Sequence, residues 1–433
     1  MSKIKIKNFG PIKQGYNEND GWIDIKKVTV FIGNQGSGKS TVAKLISNFT
    51  WMEKALTRGD YDKKAFESEG VLKRYLTYHK IENYFRYDSY NKKGQMKRVF
   101  SNDSAIEYVG NSYSFKYYQG HLEISENQLE ISENQSGNYP LPQIMYLPAD
   151  RNFLSSVDDL KTQRIFSPAL SELLYEFDNS KKEMKGDLRL PINEVDLEYD
   201  KDNDILYLKG NGYKIKLAES SSGFQSFVPL FLVTWFLTNS VKSQTESKEP
   251  MSSDELNRFK RGVTDIYSSS NLTEEQKRAA ISALSGRFNK SAFINIVEEP
   301  EQNLFPTSQW QMLKSLLEFN NMNEGNKLII TTHSPYIINF LTLAVKGYLV
   351  EEKIKGSDQE KELNSKLTSI LPLSSVIKPD DLAIYELNDN GEIVKLGDYN
   401  GLPSDNNYLN NNLSEGNNLF ASILDIEDEL EEI

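Results

Sequence analysis

Three short apolar segments, each followed directly by glycine, acidic or polar residues, predict buried strands of a parallel sheet. Residues 28–32 run into a glycine-rich turn, residues 293–297 end in two glutamates, and residues 327–331 precede a Thr-His-Ser-Pro segment. Between the second and third segments, residues 310–319 have the apolar spacing of a helix. This alternation of strand, helix and strand is typical of an α/β fold.

Further apolar patterns predict strands outside these three segments. Ile4 and Ile6 indicate a first strand, and residues 143–147 indicate another buried one. Residues 195–208 and 213–217 alternate apolar and polar positions around turn residues. Alternation of this kind favours antiparallel strands with one buried face.

Helical patterns occupy much of the remaining chain. Residues 40–51 have helical periodicity, and residues 60–100 are helical and basic. The apolar run at 228–237 is about half the roughly 20 residues of a membrane-spanning helix, so we interpret it as a buried helix. Residues 239–254 lack an apolar period and predict a surface connection, and residues 255–288 predict a polar helical insertion.

Two segments show repetition or strong bias. The strand-rich region 102–138 contains the heptapeptide LEISENQ twice, at 122–128 and 129–135, which we interpret as a duplicated edge strand or loop. Towards the end of the chain, a predicted strand at 382–387 is followed by a polar Asn-rich loop and an acidic helical tail that ends at 427–432. Sustained heptads are missing, so no long coiled coil is expected.

Composition narrows the class of protein. The chain has 433 residues, of which 38% are hydrophobic and 26% charged, as in soluble globular proteins. It has no cysteine, which excludes disulfides and thiol nucleophiles, and a reducing cytoplasm fits this. No signal peptide or membrane span is expected, so we expect a cytoplasmic protein without a membrane partner.

The net charge of -12 excludes attraction to nucleic acid by the protein as a whole. A local exception lies between Lys63 and Arg98, where basic residues are interleaved with tyrosines. That mixture predicts either a nucleic-acid or acidic-partner surface, or a solvated basic face. The interleaved aromatic residues include Tyr75, Tyr78, Tyr84, Phe85, Tyr87 and Tyr90.

A phosphate-binding loop follows the strand at 28–32. The sequence GNQGSGKS fits the pattern G-x-x-x-x-G-K-[ST], with a strand before it and a helix after it. Its backbone amides are suited to cradle phosphates, the Lys39 ammonium to contact the terminal phosphates, and the Ser40 hydroxyl to bind Mg²⁺. The predicted ATP-binding residues are Gly33, Asn34, Gln35, Gly36, Ser37, Gly38, Lys39, Ser40 and Thr41.

A carboxylate pair ends the strand at 293–297. We predict that Glu298 holds Mg²⁺ through water, and that Glu299 orients or deprotonates the attacking water. His333 ends the next strand and is one of three histidines in the chain, in a position from which it can reach the terminal phosphate. The predicted catalytic residues are therefore Lys39, Glu299 and His333, with Ser40 and Glu298 at the metal and with ATP and Mg²⁺ as cofactors.

Four blocks of the chain resemble ABC-type P-loop ATPases of the group that includes SMC and RecF proteins. The blocks are IKIKNFGPI through the P-loop, IMYLPADR, ESSSGFQSFVPL, and IVEEPEQNLFP with TTHSPYIIN. Within this group the chain is more similar to stand-alone AAA-type ATPases of bacterial anti-phage systems, such as PARIS and Septu, and to the ATPase domain of OLD nucleases. The resemblance implies a P-loop core of mixed or parallel sheet, with an antiparallel subdomain and helical insertions.

The third block looks like the family's LSGGQ signature. Ser221 stands at the serine position and Gly223 at the second glycine position, while Ser222 replaces the first glycine. In the family this element reaches across a dimer to ATP bound by the other subunit, which implies that Ser221, Ser222 and Gly223 act in trans. The family's Q-loop glutamine is not evident, because its expected region holds Ala149, Asp150 and Arg151.

The motifs divide the chain into six predicted parts. They are the P-loop part of the core (1–59), a basic helical and strand insertion (60–142), a strand, hairpin and signature region (143–240), a helical insertion (241–290), the part with the carboxylate pair and His333 (291–345), and C-terminal strands with an acidic tail (346–433).

Three functions compete. The favoured one is an ATPase sensor or scaffold of an anti-phage complex, working as a dimer or larger homo-oligomer that controls a separate nuclease or toxin. The alternative is a RecF-like DNA-repair clamp that grips duplex DNA through the basic segment, with binding that weakens steeply with salt. A transporter ATPase subunit is less favoured, because the signature block and the EEPE sequence at 298–301 look unlike those of transport ATPases.

Overall fold

The computed structural model describes residues 2–68, 70–86, 104–127, 141–156, 167–247, 253–268 and 290–431. Its strands are β1 (Lys3–Lys7), β2 (Gly15–Tyr16), β3 (Ile23–Asp24), β4 (Val28–Gly33), β5 (Ala105–Val109), β6 (Tyr113–Tyr118), β7 (His121–Glu126), β8 (Leu141–Leu147), β9 (Leu188–Arg189), β10 (Asp196–Asp200), β11 (Ile205–Gly210), β12 (Tyr213–Lys216), β13 (Lys290–Glu298), β14 (Lys327–Thr331), β15 (Leu382–Leu387), β16 (Glu392–Lys395), β17 (Asp398–Tyr399) and β18 (Leu402–Pro403). Its α-helices are α1 (Lys39–Thr57), α2 (Lys63–Glu67), α3 (Val71–Leu76), α4 (Phe153–Ser156), α5 (Pro168–Glu183), α6 (Ser222–Ser247), α7 (Ser253–Ser268), α8 (Pro306–Asn321), α9 (Pro335–Ile354), α10 (Glu360–Ile370) and α11 (Tyr408–Glu431).

A seven-stranded mixed sheet carries the core, in the order β2-β16-β15-β4-β14-β13-β8. The five strands from β15 to β8 are mutually parallel, and β16 runs antiparallel to β15. This confirms the predicted α/β class and the predicted strands at 28–32, 143–147, 293–297, 327–331 and 382–387.

Successive residues of the central strands face opposite sides of this sheet. Phe31 and Ile329 pack in a cluster with α1 and the strands β1, β5 and β6. Val30 and Ile330 pack in a second cluster with α6, α8 and α9. Because both faces are covered, these strands are apolar at almost every position, as the sequence pattern requires.

Two antiparallel sheets flank the core. One has the order β3-β1-β5-β6-β7, so the first LEISENQ copy lies in an edge strand as predicted. The second copy, from residue 129, lies outside the described residues. The other sheet, β12-β11-β10-β9, forms from the predicted hairpins at 195–217. The pair β17 and β18 forms a separate ribbon.

The apolar helix at 228–237 is confirmed as part of α6. By length and composition, residues 222–246 form a helix that is long and apolar enough to cross a membrane, but 67% of its most apolar window is buried in the protein. Phe227, Val228 and Leu232 pack in the core, so α6 is a central helix of the fold.

The predicted surface connection at 239–254 is wrong for its first half, because α6 continues to Ser247. Asn239 and Thr245 donate side-chain hydrogen bonds to the carbonyls of Trp235 (2.8 Å) and Val241 (2.9 Å), one turn earlier. Val241 is fully buried and anchors this polar extension. Residues 248–252 lie outside the described residues.

Two segments outside the predicted helices are helical. After β8 the chain forms a 3-10 helix, Ala149–Asn152, followed by α4. The Asn-rich loop predicted after residue 387 contains β16, β17 and β18, and only its end, from Tyr408, is helical in α11. There Asn407 Oδ1 accepts a hydrogen bond from the Asn410 amide (3.1 Å) and caps the helix.

The helix predicted over 60–100 is found in α2 and α3, but the prediction is wrong for residues 80–86, which form turns and a β-bridge between Phe85 and Phe9. The helix predicted over 255–288 is found in α7. Residues 87–100 and 269–288 lie outside the described residues.

Candidate functional site

Parallel pairing brings the sequence motifs to one edge of the core sheet. Thr331 is in register with Glu298 of β13 and with Phe31 of β4. Val297 is in register with Leu147 of β8. The segments that follow these residues, namely the P-loop, the carboxylate pair, the His333 segment and residues 148–151, therefore leave the sheet at the same edge.

The Lys39 side chain is held by backbone carbonyls of the P-loop itself. Lys39 Nζ donates hydrogen bonds to the carbonyls of Gly33 (2.8 Å) and Asn34 (2.7 Å). Burial lowers the pKa of the Lys39 ammonium, and the carboxylates of Glu299 and Glu301 oppose that shift. The loop thus carries a fixed cation that faces the two glutamates.

Two features of the loop suit it to phosphate. Gly33 has a φ of 138°, and a Cβ there would collide with the carbonyl oxygen of Leu387, so only glycine fits. The Ser37 hydroxyl is buried and has no hydrogen-bond partner among the described residues. Asn34, Gln35 and Gly36 are exposed at the tip. The chain therefore presents an unused hydroxyl and backbone amides around the Lys39 ammonium.

Glu298 is 6% exposed and lies at the end of β13. Its Oε2 accepts a hydrogen bond from the Ala149 amide (3.2 Å). Its Oε1 lies 3.9 Å from Lys44 Nζ and has no hydrogen-bond partner among the described residues. Burial and the Glu298 carboxylate raise the pKa of the neighbouring Tyr146 phenol. A buried carboxylate oxygen without a partner is the kind of group that fits a hard divalent cation or its bound water.

The residues fit Mg²⁺ better than a metal held by the protein alone. The described residues contain no group of three or more His, Cys, Asp or Glu that could enclose an ion. In nucleotide sites Mg²⁺ usually has one or two protein ligands, with water and phosphate oxygens completing the shell. Ser40, in the first turn of α1, and Glu298 would supply those protein contacts.

Glu299 is held in a left-handed backbone conformation, with a φ of 42°. Its amide donates to the Thr331 carbonyl (2.8 Å), and its Oε1 lies 3.6 Å from His333 Nδ1. The contact with His333 lowers the pKa of Glu299, and the same contact raises the pKa of His333. Non-glycine residues in this conformation cluster at functional sites, where the surroundings hold the strain.

A third carboxylate, Glu301, positions the histidine segment. Glu301 Oε1 accepts hydrogen bonds from Thr332 Oγ1 (2.7 Å) and the His333 amide (2.9 Å) and lies 3.4 Å from His333 Nδ1. Burial raises the pKa of the Glu301 carboxyl, although these hydrogen bonds oppose the shift. The sequence patterns do not predict a role for Glu301. The one feature that could have indicated it is its position as the last residue of the EEPE sequence at 298–301.

Arg151 is fully buried beneath the carboxylate pair. Its Nη1 donates to the carbonyls of Glu298 (2.6 Å) and Pro148 (3.2 Å), and its Nη2 donates to the Glu299 carbonyl (2.7 Å). Its Nε donates to the Ser226 carbonyl of α6 (3.1 Å). Burial lowers the pKa of the guanidinium to about 10, so it stays charged at neutral pH. In the sequence, Arg151 stands out only because it lies where the family's Q-loop glutamine is expected.

The signature residues lie at the start of α6. Ser221 and Ser222 are exposed and, among the described residues, make no hydrogen bond to the P-loop. A Cβ at Gly223 would lie 2.8 Å from the carbonyl oxygen of Asn303. Asn303 Nδ2 also donates to Ser226 Oγ (3.1 Å). The segment after the carboxylate pair therefore packs directly on the signature end of α6.

The described part of the basic segment is partly neutralised within the chain. Lys63 pairs with Glu126 (2.8 Å), and Arg86 donates to the carbonyls of Gly10 (3.0 Å) and Ile12 (3.4 Å). Residues 87–103 lie outside the described residues. The contacts seen do not favour a nucleic-acid surface over a structural role.

Two protein-family models match the chain. One, described as AAA domain, matches residues 3–279, and the other, described as AAA ATPase domain, matches residues 261–338. No curated protein matches the chain.

Solved structures with similarity to the chain include SMC heads and ATP-binding cassettes. The SMC head domain from Thermotoga maritima is 12% identical with a TM-score of 0.32, covering 78% of this chain and 90% of that one. An Smc head domain with an extended coiled coil, bound to the C-terminal domain of ScpA from Pyrococcus furiosus, is 10% identical with a TM-score of 0.32, covering 98% and 100%. A dimeric post-hydrolysis ATP-binding cassette bound to ADP and Pi is 12% identical with a TM-score of 0.28, covering 92% and 100%.

Proposed function

The chain belongs to the AAA domain family and is an ATPase of that type, and from this premise we propose that it binds Mg-ATP between two copies of itself and hydrolyses it. The observation that carries the proposal is the strained Glu299, which Arg151 and Thr331 hold at the sheet edge that also carries the P-loop. The proposal is supported by the position of Glu299, Lys39 and the P-loop at one edge of one sheet.

In the proposed reaction, the P-loop amides, Ser37 and Lys39 bind the phosphates. Ser40 and Glu298 would hold Mg²⁺, which neutralises charge on the phosphate oxygens when bound. Glu299 takes a proton from a water whose oxygen attacks the terminal phosphorus, and the bond from phosphorus to the ADP oxygen breaks. His333, held by Glu299 and Glu301, contacts the transferred phosphoryl group.

Self-association is proposed because, in the family that the chain resembles, the signature contacts ATP bound by the other subunit. Ser221 and Ser222 are exposed, and among the described residues they make no hydrogen bond to the P-loop. Phe305, which directly follows the segment packed on Gly223, is 73% exposed. An exposed aromatic beside a polar recognition element is typical of an interface.

Sedimentation velocity of the Glu299→Gln variant tests the ATP-dependent dimer. We expect this variant to be monomeric without nucleotide and dimeric with Mg-ATP, because ATP is bound but not consumed. The Lys39→Ala variant is the matched control and should stay monomeric with Mg-ATP. A Glu299→Gln protein that binds ATP and remains a monomer at every concentration would contradict the shared site.

We also propose that this ATPase is the sensor or scaffold subunit of a bacterial anti-phage complex that controls a separate nuclease or toxin. Two points support this: the EEPE and ESSSGFQ blocks are similar to those of defence-type ATPases, and the described residues hold no acidic or histidine cluster suited to a nuclease metal. The DNA-clamp alternative gains no support from Lys63, which pairs with Glu126, or from Arg86, which donates to the Gly10 carbonyl.

A phage-plaque assay in the native host tests the defence role. Deletion of the gene, or the Lys39→Ala substitution, should raise plaque formation by at least one phage, and so should deletion of an adjacent nuclease or toxin gene. Unchanged plaque formation over a broad phage panel, together with new sensitivity to DNA damage, would favour the repair clamp.

A further inference from the structure

The C-terminal helix α11 extends away from the body of the protein. Asn407 and Leu409 are buried at its start, and the Tyr408 amide donates to Glu386 Oε2 of β15 (2.8 Å). From residue 411 to residue 428 every residue is exposed. Among the residues that the structure describes, only those packed on the first turn of the helix therefore anchor it.

This exposed helix carries large apolar side chains. Their exposed fractions are 57% for Leu413, 61% for Leu419, 63% for Phe420, 62% for Ile423, 42% for Leu424 and 59% for Ile426. At 100° of rotation per residue, Leu419, Ile423 and Ile426 lie together on one face of the helix. Leu413, Phe420 and Leu424 lie together beside them and widen that face. We call these six residues the apolar stripe. An apolar face of this length normally marks an interaction site.

The helix also has a composition that favours a partner. Its residues include five asparagines and Gly416, which are poor helix formers, so intrinsic propensity contributes little. Isolated helices are marginal in water, and most helices gain stability by burying an apolar face. On α11 that face has no cover from the described residues.

The charges of α11 decide which kind of partner fits. All charged residues of the helix are acidic: Glu415, Asp425, Glu427, Asp428, Glu429 and Glu431. An anionic membrane surface would repel such a helix, since interfacial helices carry lysine and arginine. A second copy of α11 would bring the same negative charge and no cation. A protein groove with an apolar floor and a basic rim complements both features.

We propose that α11 is the docking helix for a different protein, whose groove is apolar and rimmed by lysine or arginine. This rests on the proposed sensor or scaffold function, and it identifies the surface on which the controlled effector would sit. The anchor of α11 on β15 links that surface to the ATP site, because Leu387 at the end of β15 is in register with Gly33 of the P-loop.

Site-specific photo-crosslinking in the native host tests the proposal. A photoreactive phenylalanine analogue replaces Phe420 on the apolar stripe or, as the matched control, Asn418 on the opposite face of the same helix. We expect the probe at position 420 to capture one other protein through a peptide with apolar residues beside Lys or Arg. Capture from position 418 should be at least about tenfold weaker, because a residue on the opposite face lies outside the centre of the interface.

Two variants test the two parts of the recognition. Phe420→Ser together with Ile423→Ser should lower co-purification of the captured protein about tenfold or more. Asp428→Lys, at the edge of the apolar face beside Leu424, should also lower it and should reduce its salt dependence. ATP turnover and ATP-dependent dimerisation should be unchanged in both variants, since α11 lies outside the catalytic residues.

The proposal is overturned if position 420 captures only another copy of this chain, captures nothing, or captures a peptide without basic residues. It is also overturned if Asp428→Lys strengthens the capture of the partner or leaves it unchanged. These outcomes are separate from failure of the ATPase, which would show as lost turnover in the unaltered protein.

Discussion

The buried guanidinium of Arg151 donates a 2.7 Å hydrogen bond to the carbonyl of Glu299. The same side chain reaches the Ser226 carbonyl in α6, close to the signature residues at the start of that helix. One side chain therefore joins the proposed base to the element that we expect to contact ATP in a partner subunit. Displacement of α6 would be transmitted to Glu299 through this side chain, in addition to the contact between Asn303 and Ser226.

Substitution of Arg151 by lysine should uncouple these elements. Lysine keeps the charge but lacks the planar set of donors, so buried carbonyls lose their partners. We expect the free energy of unfolding to fall by about 3 kcal/mol and kcat by about tenfold or more, with ATP affinity changed less than about threefold. Urea unfolding, ATP titration and steady-state turnover measure the three quantities. A folded Arg151→Lys protein with normal kcat would show that the link has no catalytic role.

Substitution of Glu299 by glutamine should separate binding from hydrolysis. The amide cannot accept the proton of the attacking water, so we expect kcat to fall by roughly 10²–10⁴-fold while ATP still binds. The exposed Glu324, changed to glutamine, is the control for loss of one negative charge. Turnover of the Glu299→Gln variant within a few-fold of the wild type would remove this residue from the mechanism.

Alanine at Gly223 should disturb the signature without touching the P-loop. The new Cβ would lie 2.8 Å from the Asn303 carbonyl, so α6 or the segment after the carboxylates must shift. We expect lower kcat and weaker ATP-dependent dimerisation, with nucleotide affinity of the monomer unchanged. Gly397→Ala, where a Cβ meets nothing within 4 Å, is the matched control. Equal behaviour of the two variants would argue against a role for this close contact.

The pairing of His333 with Glu299 should be visible in the titration of the histidine. The contact raises the pKa of His333 above the ordinary value of 6.5, so its stabilising effect is full below pH 6.5 and is lost as pH rises through the folded-state pKa. In the Glu299→Gln variant the pKa should return towards 6.5. Imidazole C–H resonances measured by NMR against pH follow this shift. A His333 pKa that is the same in both proteins would exclude the contact in solution.

Much of the fold follows from local patterns in the chain. Residues 28–32 and 327–331 are mostly apolar because both faces of their strands are buried, and the order of the amino acids alone displays this pattern. The P-loop and the carboxylate pair can be located because each directly follows such a strand. Parallel pairing then brings them to one edge of the sheet.

The features that sequence patterns miss depend on contacts between distant segments. Arg151 has no local signal for burial, and its role arises only where Pro148, Glu299 and Ser226 meet around it. The polar end of α6 lacks apolar periodicity because Val241 is the buried apolar residue that packs it against the protein. Its sequence therefore looks like that of a surface connection. Likewise, the asparagines of α11 disfavour a helix locally, while the cap at Asn407 starts one.

The central claim is that each ATP site is built from two chains, and a mixing experiment measures this directly. Lys39→Ala removes the P-loop ammonium, and Ser221→Arg blocks the signature, so each variant alone should be inactive. In a mixed dimer, the Lys39 of one chain meets the Ser221 of the other and forms one intact site. We expect an equal mixture to recover about a quarter of wild-type ATPase activity, because half of the dimers are mixed and each has one of two sites intact. A mixture no more active than the two variants measured separately would contradict the shared site.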